Sequence, residues 1–420
     1  MNKPIARVLL APAVAGALLL AGCGGSSEAT GGGQTPEPKE DVTLTVWVMG
    51  DSGTNFEKVV QPFTADTGID VKVEAIPWDN VNDRLTTAVA SGKGPDVTQV
   101  GLSLLASYVE GGALEDISGN LASYPNLAPE NFPEAVAPAS LHADGAAYTV
   151  PWVGDTRVLF YRSDILEEAG IDAPPATWDE IRADAKTLAA RGKGQFGYYI
   201  PQWDAPLPVS YTWQAGGDVV DGEGKVTIDT DAFRAAADHY LGFYADGSVP
   251  TAGDFDQAAG FISGAAPMLV SGPYLAAAVR EQAPDLDGKW GVTTVPSGDN
   301  DMSLFAGSNL GIWKGSEHKD AALELLDFMA DPATQVSWFT TTGELPAATA
   351  AFEDPALTKD PMVAVYADQL ASSRALPIST RWDAANAAIL ETLNAIALTG
   401  ADKDSSLKAL YATIEEINAR

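Results

Sequence analysis

The dipeptides Trp78-Asp79 and Trp203-Asp204 each set a flat ring beside an acid, and Trp152 and Asp155 do so at a spacing of three. A carboxylate accepts two hydrogen bonds at fixed separation, and an aromatic face packs on C–H groups. Such pairs suit a hydroxyl-rich ring, and they suit an organic cation equally well. Gly50-Asp51-Ser52-Gly53 adds a polar pair after an apolar run, and Gly307-Ser308-Asn309 offers close backbone approach with a side-chain amide. Each has a plainer reading. Asp51 fits an Asx turn, Asp79 a helix N-cap, Asp155 an ion pair with Arg157, and Trp152 internal packing.

Other chemistries find no support. His142, His239 and His318 are scattered, without partners at metal-ligand spacing. Asp299, Asp301 and Ser303 imitate the start of a calcium loop, but Leu304 and Leu310 stand where glycine and glutamate are required. There is no Gly-x-Ser-x-Gly and no phosphate-binding loop, and no catalytic residue, cofactor or metal is expected. A formal charge of -32 over 420 residues, with no basic stripe, argues against nucleic acid.

The only cysteine, Cys23, closes Leu20-Ala21-Gly22-Cys23 after Lys3, Arg7 and an apolar run from Val8 to Ala21. This is the layout of a secretory signal, and the run is too short for a permanent span. The last four residues match the bacterial lipobox, which implies cleavage before Cys23 and acylation of its thiol. Losing Lys3 and Arg7 and no acid would take the charge from -32 to -34. Residues 1–22 are thus expected to be a signal and residues 23–40, rich in Gly, Ser and Pro, a flexible tether. The body would sit at the cell surface, held to the outer face of the cytoplasmic membrane by lipid alone.

The elements that must position the candidate residues alternate. Val42–Val48 reads as a strand, Phe56, Val59, Val60 and Phe63 recur at helical spacing, Ile69–Ile76 is a strand, Val81–Ala90 a helix and Asp96–Val100 a strand. The pattern restarts after Tyr148, with strands at Val158–Tyr161, Phe196–Ile200 and Pro267–Val270. Thr177-Trp178-Asp179-Glu180 is a capping box, Asp331-Pro332 an N-cap with N1 proline, and two long helices close the chain. Strand–helix alternation predicts α/β architecture with mostly parallel sheets covered on both faces. Trp178, Trp290, Trp313 and Trp338 are assigned to packing, Trp213 to core and Gln214 to the surface.

The ordered series "LTVWVMGDSG", "FTADTGIDVKVE", "ASGKGPDV", "EGGALEDI", "PWVGDTRVLFYRSDILEEAGI", "TWDEI", "QAGGDVV", "MLVSGPY", "AGSNLGIW" and "TTGELPA" resembles the extracellular solute-binding proteins of bacterial ABC sugar importers. The similar proteins bind maltose, trehalose and multiple sugars. The resemblance implies a two-lobe periplasmic-binding-protein-like fold of type II. Lobe 1 would be 41–152 plus 304–346, lobe 2 155–303 plus 351–420, and the hinge crossings 153–154 and 347–350. It implies a monomer that takes a sugar, a di- or oligosaccharide, in the cleft and delivers it to permease subunits. A receptor of the same fold for a polyamine or other cation, and a surface glycosidase, are the alternatives.

Carried over residue by residue, the resemblance makes Asp155 the acidic ligand contact, Tyr274 in Gly272-Pro273-Tyr274 a stacking ring, and Arg381-Trp382 a stacking position. Asp51 fits the polar pair after the first strand, although Ser52 stands where a lysine is expected. Gln99 and Ser103 fall at the cleft edge after the third strand. Val100, Ser103 and Leu104 replace an aromatic, an acid and an arginine, which argues against maltodextrin specificity. Trp78, Asp79, Trp152, Trp203, Asp204 and Asn309 complete the expected binding set.

Overall fold

The computed structural model describes residues 42–50, 52–77, 80–133, 136, 145–202, 206–252 and 255–419. Cys23, the tether, Asp51, Trp78, Asp79, Trp203, Asp204 and His142 lie outside the described residues. Among the described residues ten strands form two sheets: β1 (Thr43–Met49), β2 (Asp70–Ile76), β3 (Val97–Gly101), β4 (Thr149–Thr156), β5 (Val158–Tyr161), β6 (Met268–Ser271), β7 (Gly291–Thr293), β8 (Ser303–Ile312), β9 (Leu345–Pro346) and β10 (Ser373–Ala375). The larger sheet runs β2-β1-β3-β8-β4-β9 with β10 also on β8, and the smaller runs β6-β5-β7.

Local signals in the sequence explain most boundaries. Pro62 divides the first helical stretch into Gly53–Val59 and Gln61–Thr67, and Gly68 ends it in the left-handed region at φ 75°. Thr177 accepts from the Glu180 amide while the Glu180 side chain accepts from the Thr177 amide, so the capping box opens helix Trp178–Ala189. Replacing such a cap by alanine costs about 0.5–2 kcal/mol. Asp331 Oδ1 accepts from the amides of Ala333 and Thr334 at 3.0 and 3.1 Å, and Pro332 follows it in the first turn.

The expectation of mostly parallel sheets needs correction. Pairs β1–β2, β1–β3 and β8–β10 are parallel, but β3–β8, β4–β8, β4–β9 and both pairs of the smaller sheet are antiparallel. In the middle of the larger sheet the cause is the long strand β8, which enters from the far end of the chain and inserts between β3 and β4; β4–β9 and the smaller sheet are antiparallel without it. Residues Ser303–Phe305 of β8 pair with β10 and Ser308–Ile312 with β3, along the same edge. Phe196–Ile200 contributes only a bridge between Tyr199 and Leu269.

Each sheet carries its own apolar cores. Against the larger sheet pack Phe56, Trp152 and Trp338, with ring centroids 5.4 Å apart for Phe56–Trp152 and 4.6 Å for Trp152–Trp338. Such ring pairs are worth about 0.5–1.5 kcal/mol beyond area burial. Against the smaller sheet pack Tyr198, Phe243, Tyr240 and the helices Thr380–Thr399 and Lys403–Asn418. Gln214, expected at the surface, is 1 % exposed; it accepts from Trp178 Nε1 at 2.7 Å and donates to the Met302 carbonyl at 2.8 Å. A helix that packs on both neighbours has no outer face for an amide, so the amide must be satisfied internally.

Two glycines let the crossing strands approach. A Cβ on Gly307 would lie 2.4 Å from the Val153 carbonyl oxygen, and one on Gly154 2.6 Å from that of Pro346. The close approach anticipated at Gly307 is therefore between backbones. No helix among the described residues is long and apolar enough to cross a membrane.

Candidate functional site

A cleft of about 610 Å³ opens between the sheets. Met49 and Gly50 at the end of β1, Gln99 and Gly101 at the end of β3, and Ser103 line one side. Arg157, Tyr274, Trp382 and Asp383 line the other, while Val153, Asp155 and Phe305–Ser308 form the floor. Loops at the carboxyl ends of parallel strands are where an open α/β sheet collects ligand groups.

Asp155 sits on β4 opposite Ala306 of β8. Its Oδ2 accepts from Arg157 Nη1 at 2.9 Å, while Oδ1 is buried without a partner. Burial pushes the Asp155 carboxyl above its usual range, against the pull of the Arg157 guanidinium. The same guanidinium carbon lies 5.5 Å from the ring centroid of Tyr274, within cation–π range. Tyr274 is 44 % exposed, an unusual state for so large a ring, and its hydroxyl accepts from Ser271 Oγ at 3.1 Å. Gly272 makes this packing possible, since a Cβ there would fall 2.2 Å from Arg157 Nη1 and 2.7 Å from Asp155 Oδ1.

A second acid stands close by. Glu344 Oε2 accepts from Trp338 Nε1 at 2.8 Å, and burial together with the charge of Asp155 raises its pKa. On the facing helix, the Trp382 ring is 1 % exposed; its Nε1 and the Asn386 Oδ1 are buried without partners. Asp383 follows, its pKa pushed up to about 6 by burial and by the charge of Glu110.

Of the expected residues within the described set, Ser52, Gln99, Ser103, Asp155, Tyr274 and Trp382 converge on the cleft. Gln99 is partly committed, because its Oε1 accepts from the Met49 amide at 2.8 Å. Trp152, Asn309 and Arg381 do not line it. Trp152 is 1 % exposed and packs against Phe56 and Trp338, at the bulge where the register of β4 on β8 shifts between Pro151 and Val153. Asn309 alternates with the cleft-facing Ser308, is 1 % exposed, and donates to Thr149 Oγ1 at 2.9 Å. Arg381 is exposed on the outer side of the helix that turns Trp382 inward.

Glu344, Asp383, Asn386 and the segment Leu376–Ser379 line the cleft without having been anticipated. Asn386 lies four residues beyond Trp382 on one helix, a spacing that shares a face and offered a signal. Trp338, assigned to packing, both packs and borders the cleft. Among the described residues no group of three His, Cys, Asp or Glu could hold a metal ion. A further cavity of about 20 Å³ beneath Arg157, lined by Trp178 and His239, has room for about one water.

A cleft between two α/β lobes, floored by crossing strands, is the arrangement of a solute receptor. The sequence profile of the bacterial extracellular solute-binding proteins matches residues 47–336, and the chain belongs to that family. It is 30 % identical over 377 residues to an uncharacterised lipoprotein from the oleD 5′ region of Streptomyces antibioticus, covering 84 % of this chain and 78 % of that one. It is 28 % identical over 337 residues to the diacetylchitobiose binding protein DasA of Streptomyces coelicolor, covering 76 % and 77 %. Among solved structures it is similar to the sugar-binding protein MalE of Xanthomonas citri, with TM-score 0.83, 27 % identity and coverage of 90 % and 98 %.

Proposed function

We propose that the protein captures a sugar, a di- or oligosaccharide, in the cleft and delivers it to the permease of an ABC importer. What carries this reading is the meeting of an unpartnered acceptor, Asp155 Oδ1, with the exposed flat ring of Tyr274 in one 610 Å³ space. Charge-assisted hydrogen bonds contribute about 1.5–3 kcal/mol each, so two or three with a stacked ring reach roughly micromolar affinity. The family assignment and the sugar ligands of DasA and MalE point the same way. Ser52, Gln99, Ser103 and Trp382 join the proposed contacts; Asp51, Trp78, Asp79, Trp203 and Asp204 belong to it on sequence grounds alone.

Lobe 1 would comprise 41–152 plus 304–346 and lobe 2 155–303 plus 351–420, with the crossings near 153–154 and 347–350. The family is extracellular, and the lipobox ending at Cys23 gives the finer proposal of a monomer tethered to the outer face of the membrane by lipid. A relative described as a lipoprotein supports it.

A cationic ligand is the second reading. Among the described residues, the charged side chains lining the cleft are Asp155, Glu344 and Asp383 against Arg157, and Arg157 is already paired. Titrating intrinsic tryptophan fluorescence with a panel of disaccharides, oligosaccharides and spermidine separates the two. A saturable change with a sugar that survives high salt, the sugar being recovered intact, supports the proposal. Response to spermidine alone, lost at high salt, replaces it by the second reading. Cleaved sugar on recovery would mean a glycosidase.

A further inference from the structure

The five residues Leu376-Pro377-Ile378-Ser379-Thr380 join β10 to the helix that begins at Thr380. Along this short stretch the chain touches both cores. Leu376 packs against the core of the smaller sheet, with Tyr198 and Trp382. Two residues on, Ile378 packs into a cluster of the larger sheet that includes Met49, Leu105 and Tyr108. Thr380 Oγ1 then donates to the carboxylate of Glu110, 3.0 Å from Oε2 and 3.3 Å from Oε1, at the end of helix Leu105–Glu110. Leu376, Pro377, Ile378 and Ser379 also line the cleft. These are apolar packing, a hydrogen bond and a cleft wall, three separate observations on one strap.

We propose that Leu376–Thr380 is a clasp that ties the two lobes across the cleft, in addition to the crossing strands β4, β8 and β9. The crossing strands β4 and β8 bend but cannot let go, because each is joined directly to a strand of the smaller sheet, β4 to β5 and β8 to β7. The clasp holds by a side chain in an apolar socket and one bond to a carboxylate, so it can release. Ser379 caps the helix by accepting from the Trp382 amide at 3.1 Å. Seating Ile378 therefore also fixes where Trp382, Asp383 and Asn386 face the cleft. A guest in the cleft touches the clasp itself, and lobe arrangement and ligand contact become one equilibrium.

The inference needs no knowledge of the ligand, so it can fail while the sugar reading stands, and the reverse. The test uses the full chain with Cys23→Ser, and Lys58→Cys and Lys408→Cys as spin-label sites, with interlobe distances measured by pulsed electron resonance without ligand. Thr380→Val removes one net hydrogen bond and should shift the ratio of lobe arrangements about five-fold, the equivalent of about 1 kcal/mol. Ile378→Ser should move the distribution further, toward longer distances. Matching distance distributions for the parent and Thr380→Val overturn the clasp, even where Ile378→Ser fails to fold. A shift in Thr380→Val with an unchanged melting temperature establishes it.

Discussion

Asp155 and Arg157 share one hydrogen bond of 2.9 Å, and the carboxylate keeps its other oxygen buried and unpartnered. Two residues apart, they lie on the strand β4 and just beyond it, so the pair is set by the backbone rather than by a long-range search. Leaving a charged acceptor desolvated is costly unless a ligand completes it.

Asp155→Asn tests that oxygen. The amide still accepts from Arg157, so the fold should hold, with a melting change below about 2–4 °C, the shift that 1 kcal/mol produces in a chain of this size class. Sugar affinity should fall roughly 10- to 150-fold, the loss of one charge-assisted bond. Calorimetric titration beside thermal melting reads both. A melting loss far larger than this would make Asp155 structural.

Arg157→Met tests the pairing by pH. Burial raises the Asp155 pKa and the guanidinium lowers it, so removing Arg157 leaves burial unopposed. Binding that needs the carboxylate is lost as pH falls through its pKa. The acid limb of the affinity–pH profile should therefore move to higher pH in the variant. An unmoved limb would show that Asp155 does not bind ligand as an anion.

Asp383→Asn tests the facing helix. The Asp383 pKa is pushed up to about 6 by burial and by Glu110, above the 3.8 of a free carboxyl. A carboxyl raised on folding adds stability that is full below 3.8 and is lost as pH climbs through about 6. The substitution should raise the melting temperature at pH 7 and flatten its fall between about pH 4 and 6. Because the Asp383 side chain is only partly withdrawn from solvent, screening keeps the gain below about 1 kcal/mol. Melting across that pH range checks it.

Much of the architecture was legible where one local rule acted alone. The box at Thr177, the cap at Asp331 and the stop at Gly68 are each written within a few residues. Strand direction was not legible, because every antiparallel pair joins strands far apart in the sequence: β8 with β3 and β4, β9 with β4, and β5 with β6 and β7. Within the site, Tyr274 and Trp382 reached the cleft through the order of motifs, which fixes topology. Asn309 shows what alternation adds: with Ser308 on the cleft side, Asn309 turns to the other face, where it bonds Thr149, whereas on β4 the bulge at Trp152 breaks the count. Glu344 follows a helix stop at Gly343, and nothing in that turn tells a buried acid from a solvated one.

The placement of β8 also governs when the protein can form. Val97 waits for Ile312 and Thr149 for Gly311, so the central sheet cannot be completed until some three-quarters of the chain exists. Pairings so distant make assembly slow and late. A chain cut short before residue 303 would keep β1, β2 and β3 but lose the strand that joins them to β4, so neither half of the central sheet can be finished alone.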